Sequence, residues 1–295
     1  MSISPSNGDA EARDVLVPLR DGRMLSARLP GGAGGRPLVV LGGAPGTSRL
    51  DVDLHAEAAR RHGFEAIGVD RPGTGRSSRH ENGTLADWAL DLGELLDHVG
   101  HRRFAVMSLS GGAPFALAAG QYLADRVAHL TLVAPGWLPS HRWTKGMVPA
   151  NRVLWWLARN ARRPFGWMFS AMAAAIQNPE WSLADTMPEV DRQVMVANPA
   201  LEKAFRASFA ESIRNGVEGV LDDAQRVASP RGVYPGAVPV PVDLWHGEAD
   251  QNVPVRVGRA LAGALPHCTG HFLEGEGHIS ILARHRDVIL EAIPR

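Results

Sequence analysis

"VMSLSGGAPFALAA" (residues 106–119) closes an apolar run and opens an alanine-rich, helix-forming one. Two serines and two glycines stand at the junction: Ser108, Ser110, Gly111 and Gly112. A strand that turns sharply through a serine into a helix exposes that hydroxyl at the end of a sheet. The central residue of such an elbow is strained, so the residues two before and two after it must be small. For Ser110 those positions are Ser108 and Gly112. For Ser108 they would be Val106 and Ser110, and the branched valine fits poorly. Ser110 is therefore the candidate nucleophile, with Ser108 in a slot where such turns usually carry glycine. The plainer alternative is that Ser110 only caps the helix beginning at Gly111.

Outward from this junction, strands and helices alternate. "DVLVPL" and "RMLSARLP" flank Asp21-Gly22, a strong hairpin signal. "RPLVVLGG", "FEAIGVD", "RFAVMSLS" and "VAHLTLVAPG" read as short buried parallel strands. Helical stretches separate them near 51–62, from an N-cap at Thr84 to about Val99, and from Gly111 to Ala124. Such alternation predicts an α/β fold with a mostly parallel central sheet flanked by helices. From Trp137 to about Pro235 the rhythm lapses into helical periodicity. That stretch holds Trp137, Trp143, Trp155, Trp156, Trp167 and Trp181, six of the eight tryptophans. Alternation returns with "VPVDLWHGE", a helix near 255–265, "GHFLEGEGH" and a last helix near 279–292. The expected organisation is a flexible arm (1–13), one core domain (14–136 and 236–295) and an inserted helical cap (137–235).

Composition narrows the class. The 295 residues are 45% hydrophobic and 21% charged, enough for a large core. Lys+Arg and Asp+Glu both count 31, so no basic excess marks a nucleic-acid binder. Cys268 is the only cysteine, which excludes an intrachain disulfide and a cysteine zinc site. "MSISPSNGDAEARD" lacks the apolar run of a signal peptide. Phe165 to Ile176, the most apolar later stretch, is shorter than the ~20 residues that span a bilayer. The expectations are a cytoplasmic protein with no membrane insertion, no metal and no cofactor. The oligomeric state stays open, a homodimer included.

A serine nucleophile needs a base to take its proton and a third group to orient that base. "HGEADQNVP" (246–254) sets Asp250 just past a strand end, with Glu248 as the other acid and His246 in a structural role. "GEGH" (275–278) sets His278 in a glycine-rich loop after the last strand. These segments, with "GGAPG" (42–46), "DRPGTGRSS" (70–78) and "SLSGG" (108–112), stand in the order found in the α/β-hydrolase superfamily. The chain resembles in particular its capped serine hydrolases of the esterase, peptidase and C–C hydrolase kind, over nearly everything outside the insertion. The resemblance implies Ser110 as nucleophile, His278 as general base and acid, and Asp250 rather than Glu248 as the orienting carboxylate. It also implies an oxyanion hole built from the backbone N–H groups of Gly111 and Ala44, with Gly43 as the neighbouring candidate. One departure is Gly42, where relatives often carry a histidine that braces this loop. Residues 70–78 read as loop architecture without a catalytic role.

The function expected is a cofactor-independent serine hydrolase acting on an ester, thioester, lactone or related carbonyl compound. A C–C bond hydrolase, a non-hydrolytic lyase and a ligand receptor on the same fold are the alternatives, because a triad alone does not select the reaction. Trp137, Trp143, Trp155 and Trp156 are expected to line the pocket of an apolar small-molecule substrate. Against that stands the reading that they pack the insertion's own core. Asp222-Asp223, taken to follow the helical stretch, read as holding the insertion's return to the core.

Overall fold

The Asp21-Gly22 turn forms as its sequence predicts. Gly22 takes a φ of 85°, and strands β1 (Arg13–Pro18) and β2 (Met24–Leu29) pair antiparallel on either side of it. In the computed structural model, which describes residues 12–31, 34–178 and 180–294, eight strands form one sheet. The others are β3 (Arg36–Leu41), β4 (Phe64–Val69), β5 (Phe104–Leu109), β6 (Val127–Val133), β7 (Val242–Gly247) and β8 (Cys268–Leu273), in spatial order β1-β2-β4-β3-β5-β6-β7-β8. From β4 onward across the sheet every pairing is parallel. Residues 1–11 of the expected arm lie outside the described residues, and Arg13 already belongs to β1.

A buried parallel sheet needs helices on both faces, and the strands alternate to suit. Val39, Leu41 and Val106 face one side, where α2 (Leu85–His98), α3 (Ala113–Tyr122) and α9 (Val255–Ala264) contribute Trp88, Phe115 and Val257. Leu38, Val40 and Met107 face the other, against α1 (Ser48–Arg61) and α10 (Ser280–Glu291), which supply Ala59, Ile281 and Ile289. Helix α2 starts as the sequence predicts. Thr84 accepts from the Asp87 N–H while the Asp87 carboxylate accepts from the Thr84 N–H, closing a reciprocal cap.

Between β6 and β7 the chain runs through α4 (Pro149–Asn160), α5 (Arg162–Gln177), α6 (Glu189–Ala197), α7 (Pro199–Ser212) and α8 (Glu218–Ala228). Phe165, Phe169, Val220 and Leu221 form a small core among these helices. Asp222 and Asp223 lie inside α8, not after the helical stretch. They tie it down in two directions: Asp223 to Arg71, and Asp222 to Arg79 and Arg162. No helix among the described residues is long and apolar enough to cross a membrane.

Candidate active site

The elbow is built as the small-residue test requires. Ser110 follows the last residue of β5, opens a single 3-10 turn (Ser110–Gly112) and takes a φ of 51°, rare for a residue with a side chain. Its neighbours approach too closely for side chains. A Cβ at Gly112 would lie 2.7 Å from the carbonyl oxygens of Leu41 and Gly42, and Gly136 donates its N–H to the Ser110 carbonyl at 2.8 Å. Ser108, 1% exposed on β5, fills the slot where glycine is usual.

Ser110 and His278 both line a cavity of about 340 Å³ enclosed by the strand ends, α1, α10 and the inserted helices. Asp250 lies behind His278. His278 Nδ1 donates to Asp250 Oδ2 at 2.7 Å, while Asp250 Oδ1 accepts from the Asn252 and Val253 N–H groups at 2.8 Å each. Burial alone would raise the Asp250 pKa, but the facing His278 and His246 rings hold it well below the usual carboxylate range. Burial alone would likewise discharge His278. The Asp250 carboxylate, helped by Asp191, outweighs it and lifts the imidazole above its ordinary 6.5. Glu248, the alternative acid, is exposed and pairs with Arg259. His246 is fully buried and bonds the Val253 carbonyl at 2.8 Å, which shapes the Asp250 loop.

Beside the elbow, a Cβ built on Gly111 would lie 3.0 Å from the Ala44 nitrogen, so these two backbones are in contact. The loop carrying Ala44 is held without a histidine at position 42. A side chain there would run into the Asp51 carboxyl, which accepts from the Gly42 N–H. From below, Arg71 donates to the Gly42 carbonyl at 3.0 Å and the Gly43 carbonyl at 2.7 Å. The same guanidinium is paired with Asp223 of α8 at 2.7 and 2.9 Å, both side chains being 1% exposed. The segment 70–78 therefore does more than shape a loop: its Arg71 positions the backbone next to Ser110.

A second residue hidden from sequence reading is Asp191 of α6. Completely buried, its carboxylate accepts the N–H groups of His278, Ile279 and Ser280 at 3.0, 2.8 and 3.0 Å. Those are the orphan donors at the start of α10, so one side chain from the insertion caps that helix and fixes the His278 loop.

The tryptophan expectation is corrected. Of the four named, only Trp155 lines the cavity. Trp137 is buried in the core that α2, α3 and α9 share with the sheet, Trp143 packs against that core, and Trp156 on α4 is 47% exposed. Apolar lining comes instead from Leu54, Leu282, Met172, Phe205 and Phe209.

Among known proteins, the "Uncharacterized hydrolase YcgS" of Bacillus subtilis (strain 168) is 28% identical over 255 residues, 81% of this chain and 86% of that one. Among solved structures, a thermophilic esterase from Thermogutta terrifontis superposes with a TM-score of 0.65 at 20% identity, covering 96% of this chain and 97% of that one. The enol-lactonase from Burkholderia xenovorans LB400 gives 0.66 at 20% identity, covering 93% and 96%. At such identities the likeness bears on the fold alone. Residues 36–284, which span the elbow, the insertion and the His278 loop, match the family model described as "alpha/beta hydrolase fold". The chain belongs to the alpha/beta hydrolase fold family.

Proposed function

We propose that the protein is a serine hydrolase that cleaves an ester, thioester, lactone or related carbonyl compound through an acyl-enzyme on Ser110. The observation that carries this is Ser110 held at a strained φ of 51° and lining the same cavity as His278, whose ring is bonded to the buried Asp250. A carboxylate can only accept, so Nδ1 of His278 carries the proton and Nε2 is left free to accept one. Nε2 takes the Ser110 proton as Oγ attacks the carbonyl carbon, then delivers it to the leaving group. Water, deprotonated by the same nitrogen, releases the acid. The Gly111 and Ala44 N–H groups receive the developing oxyanion, a contribution of about 3–4 kcal/mol per preorganised donor.

Native protein treated with a fluorophosphonate should gain one adduct, located on Ser110 by peptide mapping. Prior unfolding and Ser110→Ala should each abolish it. A panel of p-nitrophenyl esters of graded chain length should show turnover that Ser110→Ala lacks. Absence of both adduct and turnover in the native protein would overturn the reading.

The Asp191 cap predicts a pH signature. His278 must be uncharged to accept a proton, so kcat/KM rises with pH through its pKa, and the raised value sets that limb above 6.5. Asp191→Asn removes a charge that favours the imidazolium, so the limb should move down. The amide can keep the two bonds made by Oδ1 but presents a donor to the His278 N–H. Asp191→Ala leaves three buried donors unpaired, at about 1–3 kcal/mol each, and should also lower kcat about 10- to 100-fold through misplacement of the base. A pH–rate profile unchanged in Asp191→Asn would show that the carboxylate acts on structure alone.

A further inference from the structure

Helices α1 and α10 lead away from the elbow along one wall of the cavity. α1 contributes Leu50, Asp51, Leu54 and His55, and α10, which starts two residues after His278, contributes Leu282, Ala283 and Arg286. His55 and Arg286 are thus the last cavity residue on each helix, and Arg286 stands ~9 Å along α10 from its first residue, Ser280, at ~1.5 Å per residue. The two helices are joined there, Arg286 Nη1 donating to the Leu54 carbonyl at 2.6 Å.

This end of the cavity holds polar groups with nothing to bond. His55 is 4% exposed, and its Nδ1 is buried without a partner. The Nε of Arg286 is buried in the same condition. Among the described residues Arg286 has no carboxylate partner, and its acidic neighbour Asp287 is engaged by Arg61 and His62. The cavity's other arginine, Arg206, is satisfied by Glu202 and by the Ile176 and Trp181 carbonyls. The cavity's carboxyl, Asp51, is engaged at the far end with Gly42. Burial pushes the Arg286 guanidinium down from its ordinary value, yet a guanidinium stays charged in a protein. Burial, reinforced by Arg286, holds His55 at about 3, so at neutral pH its ring is uncharged and has one N–H to give. An unpaired cation beside an apolar cavity is costly, and a planar anion would relieve it by taking the guanidinium edge.

We propose that Arg286 and His55 form an anion-recognising end of the cavity, and that the substrate is an ester or lactone whose apolar body carries a carboxylate remote from the scissile carbonyl. This deepens the serine-hydrolase reading and rests on it. The competing account is that Arg286 only ties α10 to α1 through the Leu54 carbonyl.

The probes are mono-4-nitrophenyl esters of straight-chain dicarboxylic acids, from succinate to sebacate, each beside the methyl-terminated ester of equal length. O-acetylated ω-hydroxy acids and O-acetyl alkanols test the same contact from the alcohol side. The readout is the ratio of kcat/KM for the carboxylate over the neutral ester in one preparation, which does not depend on how much protein is folded. At one chain length the ratio should exceed one by about 10- to 100-fold, the range of a hydrogen bond to a charged group. Arg286→Met should erase that preference and Arg286→Lys should keep part of it, having charge without the fork. His55→Leu should reduce it. A ratio at or below one throughout both series, or one that Arg286→Met leaves in place, overturns the proposal. The matching half-amides, titrated calorimetrically into Ser110→Ala, read the anion contact without turnover, and equal affinity for carboxylate and neutral amides overturns it again. Failure of the serine-hydrolase reading would look different: no fluorophosphonate adduct and no turnover of the neutral esters.

Discussion

Asp250→Asn is expected to lower kcat/KM by about 10³- to 10⁴-fold on any ester the protein accepts, the scale seen when a triad carboxylate becomes an amide. The geometry says why activity should fall while the loop survives. Asp250 Oδ1 accepts the Asn252 and Val253 N–H groups, and an asparagine carbonyl can keep both. Oδ2, which faces His278 Nδ1 at 2.7 Å, becomes an NH2 group. Two donors cannot share that line, so the imidazole moves its proton to Nε2, and the nitrogen needed to accept from Ser110 becomes a donor. His246 Nε2, which gives its N–H to the Val253 carbonyl, lies 3.3 Å from the same oxygen and would face the new NH2 group as well. Circular dichroism should match the wild type, and fluorophosphonate labelling should slow in step with turnover. Near wild-type turnover in this variant would mean that Asp250 does not orient the base.

The part of the candidate site that could be read from sequence consists of residues whose placement is set locally. Ser110 is recognisable because its constraint acts two positions to either side. Asp250 and His278 are recognisable because each sits in a short loop just past a strand. Asp191 offers no such signal. It lies between Val190 and Arg192 on an ordinary charged helix, and the N–H groups it binds are 87 to 89 positions away. Arg71 is visible only as part of a turn, because its partner Asp223 is 152 positions on. The tryptophans fail for a geometric reason. Trp155 and Trp156 are adjacent, so on α4 they point about 100° apart and cannot both face one cavity. The same divergence sends Asp222 to Arg79 and Asp223 to Arg71. Local strain and strand-end position survive in a linear reading; pairings made by the insertion do not.

Those pairings lead to the second large effect expected. Arg71→Met should destabilise the fold by about 3–5 kcal/mol, the cost of leaving one member of a buried ion pair uncompensated. Asp223 would be left in the interior without the guanidinium that bonds both its oxygens, and the Gly42 and Gly43 carbonyls would lose their donor. Stability read by urea denaturation and kcat/KM per folded molecule should then separate in a double variant. Arg71→Met with Asp223→Leu replaces the pair by apolar side chains, a change that is often neutral or stabilising, so much of the lost stability should return. Activity should not return with it. The two carbonyls still lack a donor, the Ala44 N–H is free to wander from the position beside Gly111, and a shift of about 1 Å there costs on the order of 10²-fold. Asp223→Asn, which keeps the shape and removes the charge, should fall between the two. If the double variant regains turnover along with stability, Arg71 serves only to hold α8 against the sheet. If turnover stays low in a stable protein, the inserted helix reaches the oxyanion loop through Arg71, just as α6 reaches the His278 loop through Asp191.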